Sequence, residues 1–127
     1  MRLILVRHAH AEPGDPDELR PLSARGRDEA LALAERLAPT APDIVLASPL
    51  LRARETAAAI AGAAAAELRV DERLAPGATA GDLLEAASEV GTTVVAVGHQ
   101  PDCSEIAFAL GAGEVDFPPA GIAVIDL

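Results

Sequence analysis

Five short apolar runs rich in Ile, Val and Leu, separated by stretches with helical spacing, constrain this chain more than any other feature. Arg2 to Val6, Asp43 to Ala47, Leu68 to Asp71, Thr93 to Val97 and Ile122 to Leu127 have the length and β-branched content of buried strands. Between them, Ala24 to Ala38, Leu50 to Ala61, Ala80 to Glu89 and Asp102 to Leu110 read as helices. In the first of these, Ala30, Leu33, Ala34 and Leu37 recur at helical spacing, Ser23 is a ready N-cap, and Pro39 and Pro42 close the segment. Strand and helix therefore alternate. That order predicts a three-layer α/β/α sandwich with a mostly parallel sheet covered by helices on both faces.

The 127 residues suit one compact domain, 1–127, with no internal repeat and no linker. Only two residues are aromatic although 50% are hydrophobic, so the core must be assembled from Ala, Leu, Val and Ile. No window approaches the roughly 20 apolar residues of a membrane span, and Leu3 to Val6 is too short for a signal peptide core. A soluble, cytoplasmic protein without membrane contact is expected. A formal net charge of −10 argues against nucleic acid, which demands a basic footprint. It does not argue against phosphate: all ten basic residues are Arg, and position matters more than sum.

Ligands of open α/β sheets bind beyond the carboxyl ends of the strands. Three expected strand ends carry the distinctive polar groups: Arg7-His8, Ser48 with the following Arg52, and Gly98-His99. Arg presents a planar fork of donors that matches phosphate oxygens and stays charged. A neutral His offers one unprotonated ring nitrogen as nucleophile when the other is held as a donor. Phosphoryl transfer needs little more, because positioned cations stabilise the charge spread over the equatorial oxygens.

Four blocks in order carry a family resemblance. Leu5-Val6-Arg7-His8-Ala9 is similar to the Arg-His-Gly signature that opens histidine phosphatases, with Ala9 in place of the commoner Gly. Arg20-Pro21-Leu22-Ser23 with Gly26, Ser48-Pro49-Leu50-Leu51-Arg52-Ala53 with Thr56, and Gly98-His99-Gln100-Pro101 resemble the family's later blocks. The chain thus resembles the histidine phosphatase superfamily, of phosphoglycerate mutase-like fold, and most of all its small SixA-type phosphohistidine phosphatases. The resemblance implies His8 as nucleophile, Arg7, Arg52 and a protonated His99 as the phosphate pocket, Arg20 as a substrate contact, and no cofactor or metal.

Other readings compete at particular residues. Arg20 can instead pair with the acidic loop at Asp15, Asp17 and Glu18, Ser48 reads as a helix cap, and Arg54 as a solvated helix residue. His8-Ala9-His10 has the alternation of a metal-ligand pair that His99 and a carboxylate could complete. Barrel hydrolases that open in this way need about 250 residues, so His10 is read as a rim residue. Cys103 is read as a core residue rather than a phosphatase nucleophile, since the Arg required six positions later is Ala109.

Phosphate esters need a carboxylic acid to protonate the departing alkoxide. Glu72 is the candidate acid and Asp102 reads as a helix cap, a weak endowment for ester cleavage. Imidazole, with an ordinary pKa near 6.5, leaves neutral once protonated. The leading expectation is therefore hydrolysis of phosphohistidine on a partner protein, such as a histidine phosphotransfer domain, through a phosphorylated His8. A broad phosphomonoesterase acting on small phosphorylated molecules and a non-catalytic phosphate-binding module are the alternatives.

Overall fold

The computed structural model describes residues 1–127 and contains one five-stranded sheet. The strands are β1 (Arg2–Arg7), β2 (Ile44–Ala47), β3 (Glu67–Val70), β4 (Thr93–Gly98) and β5 (Ile122–Asp126), in the order β3-β2-β4-β1-β5. Four strands run parallel, and β5 joins the edge antiparallel to β1. The helices are α1 (Ala24–Leu37), α2 (Leu51–Ala64), α3 (Ala80–Ser88) and α4 (Asp102–Ala109). No helix is long and apolar enough to cross a membrane.

Strand pleating explains the three layers. Successive side chains of a strand point to opposite faces, so β1 sends Leu3 and Leu5 one way and Ile4 and Val6 the other. Leu3, Leu5, Ile44, Leu46 and Val94 pack with Leu83 of α3 and Ile106 of α4. Ile4, Val6, Val45 and Val97 pack with Leu33 of α1 and with Ala53 and Ile60 of α2. Because both faces are covered, the central strands are apolar throughout rather than alternating. A fully buried side chain such as Ile60 contributes about 2 kcal/mol by leaving water. At the far edge, β3 stays exposed and carries the Glu67–Arg69 ion pair, charges that discourage edge-to-edge pairing.

The helix starts are set by side chains at two places. The Ser23 hydroxyl accepts the Gly26 amide at 3.0 Å and caps α1. Thr79 and Asp82 form a reciprocal capping box at α3. Helix α2 differs from its sequence reading at both ends. Its N-cap is Leu50, without a side-chain bond, and it runs on to Ala64 before Ala65 turns left-handed at φ 52°. Gly62, which follows the expected end at Ala61, is carried inside the helix, and among the alanines after it only the left-handed residue marks the end.

Candidate active site

The register of β1 and β4 places the two histidines side by side. Arg7 pairs with Gly98 across these parallel strands, so His8 and His99 are the next residue on each. The His8 amide donates to the Gly98 carbonyl at 3.0 Å, and the two ring centroids lie 5.3 Å apart. Both rings therefore occupy the carboxyl end of the sheet, where open α/β folds bind ligands.

His8 is held in one tautomer. Its Nδ1 lies 2.7 Å from the carbonyl of Ala9, which can only accept, so Nδ1 carries the proton and Nε2 the lone pair. Burial drives the imidazole pKa from 6.5 to about 4, against the pull of that hydrogen bond, and the charges of Arg52, Arg7 and Arg20 push it the same way as burial. The ring is neutral at physiological pH. Ala9 is wholly buried, and its amide donates to the Thr56 hydroxyl at 3.0 Å, which itself donates to the Arg52 carbonyl at 2.8 Å. Thr56 thereby ties the exit of β1 to the first turns of α2.

The remaining pocket groups surround this ring. Arg7 donates from Nη1 to the Phe117 carbonyl at 3.0 Å, while its buried Nε has no partner. Arg52 is buried on the first turn of α2. His99 is only 4% exposed; its Nε2 lies 2.7 Å from the Ser48 hydroxyl, and its Nδ1 has no partner. Buried polar atoms are nearly always paired in folded proteins. Arg7 Nε and His99 Nδ1 are two exceptions, at the ends of the neighbouring strands β1 and β4.

Three sequence readings are corrected here. His99, expected protonated, has its pKa lowered to about 4, first by burial and then by the charges of His8 and Arg52. It is neutral in the free pocket, and a bound dianion is what would favour its protonation. Ser48, read as a helix cap, reaches instead across the sheet to His99, with only a long 3.3 Å contact from the Leu50 amide. Asp102, also read as a helix cap, is buried and accepts the Gly77 and Ala78 amides at 2.8 and 3.2 Å, pinning the connection before α3.

Arg20 lies close enough for its charge to act on His8, but its hydrogen bonds go to the Glu12 carbonyl at 2.8 Å and to Asp17 at 3.0 Å. The ion pair with the acidic loop is thus its arrangement in the free protein. Glu72 stays exposed on the turn after β3 and lines, with Arg73, Pro76, Gly77 and Asp82, a depression of about 210 Å³ that includes neither histidine. Arg54 is half-buried, donating to the Pro49 carbonyl at 2.9 Å. His10 turns its Nδ1 to the Ser23 hydroxyl at 2.6 Å, and no group of three or more His, Cys, Asp or Glu side chains is placed to hold a metal ion. Burial pushes the Cys103 thiol up to about 12, as suits a core residue.

Sequence reasoning offered Asp17 as a partner for Arg20 but not for Arg52, and it assigned no contact to Thr56 and none with His99 to Ser48. Ser48 and Thr56 carried a signal, since both are polar at positions flanking a strand end and its helix. The reach of Asp17 to Arg52 depends on the fold of the 12–20 loop and left no such signal.

The model of the histidine phosphatase superfamily (branch 1) matches residues 3–82. An uncharacterized protein of Picosynechococcus sp. is 38% identical over 133 residues, covering 90% of this chain and 75% of that protein. Among solved structures, the protein histidine phosphatase SixA complexed with tungstate superposes with a TM-score of 0.87 at 25% identity, covering 100% of this chain and 88% of that one. A Nakamurella multipartitia protein assigned as a SixA phosphohistidine phosphatase gives a TM-score of 0.77 at 32% identity. That alignment takes in 86% of this chain but only 64% of the other.

Proposed function

The chain belongs to the histidine phosphatase superfamily, and from that premise we propose that it hydrolyses phosphohistidine on a partner protein in the cytoplasm, by way of a phosphohistidyl intermediate on His8. The observation that carries this reading is the Nδ1 contact of His8 with the Ala9 carbonyl, which leaves a neutral Nε2 lone pair beside unpaired buried donors.

In the first step, Nε2 of His8 attacks phosphorus in line and the substrate's P–N bond breaks. The departing imidazole takes its proton from solvent and leaves neutral. Arg7, Arg52 and His99 hold the equatorial oxygens, His99 gaining a proton as the dianion enters. Nδ1 of the phosphorylated His8 keeps donating to Ala9, which stabilises the positive charge on the ring. Water then attacks the phosphoryl group, and inorganic phosphate leaves with His8 restored. Guanidinium and imidazolium groups meet the charge in this scheme, so no metal is required.

Two features favour phosphohistidine over a phosphate ester. Asp102 is held by the Gly77 and Ala78 amides, Asp17 is an exposed carboxylate whose hold on a proton Arg20 and Arg52 weaken, and Glu72 lines a depression that includes neither histidine. An alkoxide would depart without a proton donor. Residues 71–79 join β3 to α3 with a single 3₁₀ turn and no inserted helix to form a lid, which supports access by a residue displayed on a protein surface, such as a histidine phosphotransfer domain.

The test compares turnover of a phosphohistidine-bearing protein, a phosphoserine peptide and a small sugar phosphate. Preferential dephosphorylation of the first is expected. Equal or faster ester turnover would favour a broad phosphomonoesterase, and phosphate binding without any hydrolysis would favour a binding module.

A further inference from the structure

The five groups assigned to the phosphoryl site are not equally free. Arg7 Nε and His99 Nδ1 lack partners, whereas Arg52 and Arg20 both hold the same carboxylate. Arg52 donates from Nη1 to the Asp17 carbonyl at 2.9 Å and from Nη2 to its Oδ2 at 3.2 Å. Arg20 donates from Nη1 to Oδ1 of the same side chain at 3.0 Å. One anion thus bridges two guanidinium groups, as a phosphoryl group would. Asp17 sits on the 3₁₀ turn Asp17–Leu19 between β1 and α1, its side chain 60% exposed, with nothing but these arginines holding its carboxylate.

We propose that Asp17 is a resident competitor of the phosphoryl group: it occupies Arg52 and Arg20 in the free enzyme, yields them to substrate, and returns to them as inorganic phosphate leaves. This rests on the phosphatase reading above. The negative charge of Asp17 also reaches His99, so a phosphoryl dianion held at His99 meets like charge unless the carboxylate swings away. Solvent exposure makes that movement cheap, since an exposed carboxylate is rehydrated on release. The apparent affinity of the site for any phosphate is lowered by the fraction of molecules in which the arginines are free. A protein substrate brings further contacts that offset this cost, while inorganic phosphate brings none, so the carboxylate limits inhibition by product.

The experiment is calorimetric titration of the wild type, Asp17→Asn and Asp17→Ala with inorganic phosphate and with tungstate. Both variants keep the Asp17 backbone carbonyl that Arg52 also uses, and thermal melts verify that they are folded. Binding about threefold tighter or more in both variants is expected, from the worth of an exposed ion pair. Unchanged or weaker binding would overturn the proposal and make Asp17 a residue that positions Arg52. Because the titration requires no turnover, a chain that binds phosphate more tightly on losing Asp17 but hydrolyses nothing would sink the phosphatase reading and leave this one standing.

Discussion

The Ser48 hydroxyl stands 2.7 Å from Nε2 of His99 and joins the ends of β2 and β4, two neighbouring parallel strands. The Leu50 amide points at the same hydroxyl oxygen, so the serine proton is free to go to His99 Nε2. In the proposed mechanism, Nδ1–H of His99 is then the donor offered to a phosphoryl oxygen.

Ser48→Ala removes that hydrogen bond and lets the His99 ring turn. A bond of about 1 kcal/mol corresponds to a kcat loss of roughly three- to tenfold. A fall in kcat with an altered His99 titration, both restored by Ser48→Thr, is expected by steady-state kinetics and NMR. Full activity with an unmoved His99 resonance would remove Ser48 from the site.

The buried histidines make stability depend on pH. Folded His8 and His99 titrate near 4 whereas the free imidazole titrates at 6.5, so between these values the unfolded chain binds more protons. Their contribution is complete above about pH 6.5 and is lost as pH falls toward 4, on the order of 3 kcal/mol for His99 alone. NMR titration should find both rings neutral at pH 5.5, and saturating phosphate should move the His99 midpoint upward. Midpoints near 6.5 in the free protein would contradict the burial argument.

Gly26 holds the loop beneath the site by close approach. A Cβ at this position would lie 1.8 Å from the His10 carbonyl oxygen, which is fixed by the Ser23 amide at 3.0 Å. Gly26→Ala must push apart α1 and the strand exit, with an expected loss of about 2 kcal/mol or more in denaturant unfolding. A loss below about 0.5 kcal/mol would show that the loop yields.

Much of this geometry was written in local patterns. The runs Leu3–Val6 and Val94–Val97 announced central strands because both faces of the sheet are covered, and Arg7-His8 and His99 stood out as polar groups closing those runs. Strand-end position therefore located the crevice. What local pattern did not carry was anything set by three-dimensional environment. The neutral state of His99 follows from burial among Arg52, Arg7 and His8, which a single strand end does not report. The capture of Arg52 by Asp17 joins residues 35 apart in sequence through the path of an irregular loop. Asp102 looked like a cap because it opens α4, yet its carboxylate turns to the 77–78 amides. The antiparallel pairing of β5 likewise depends on the route of the 111–121 segment rather than on the apolar run itself.

The proposed mechanism requires His8 to carry the phosphoryl group, and rapid-quench labelling with a radioactive phosphohistidine protein measures this directly. Acid-labile, base-stable label on His8 in the wild type, none in His8→Ala, and a turnover loss on the order of 10³-fold or more in that variant are predicted. Unlabelled wild-type protein during turnover, or a His8→Ala variant with full activity, would contradict it.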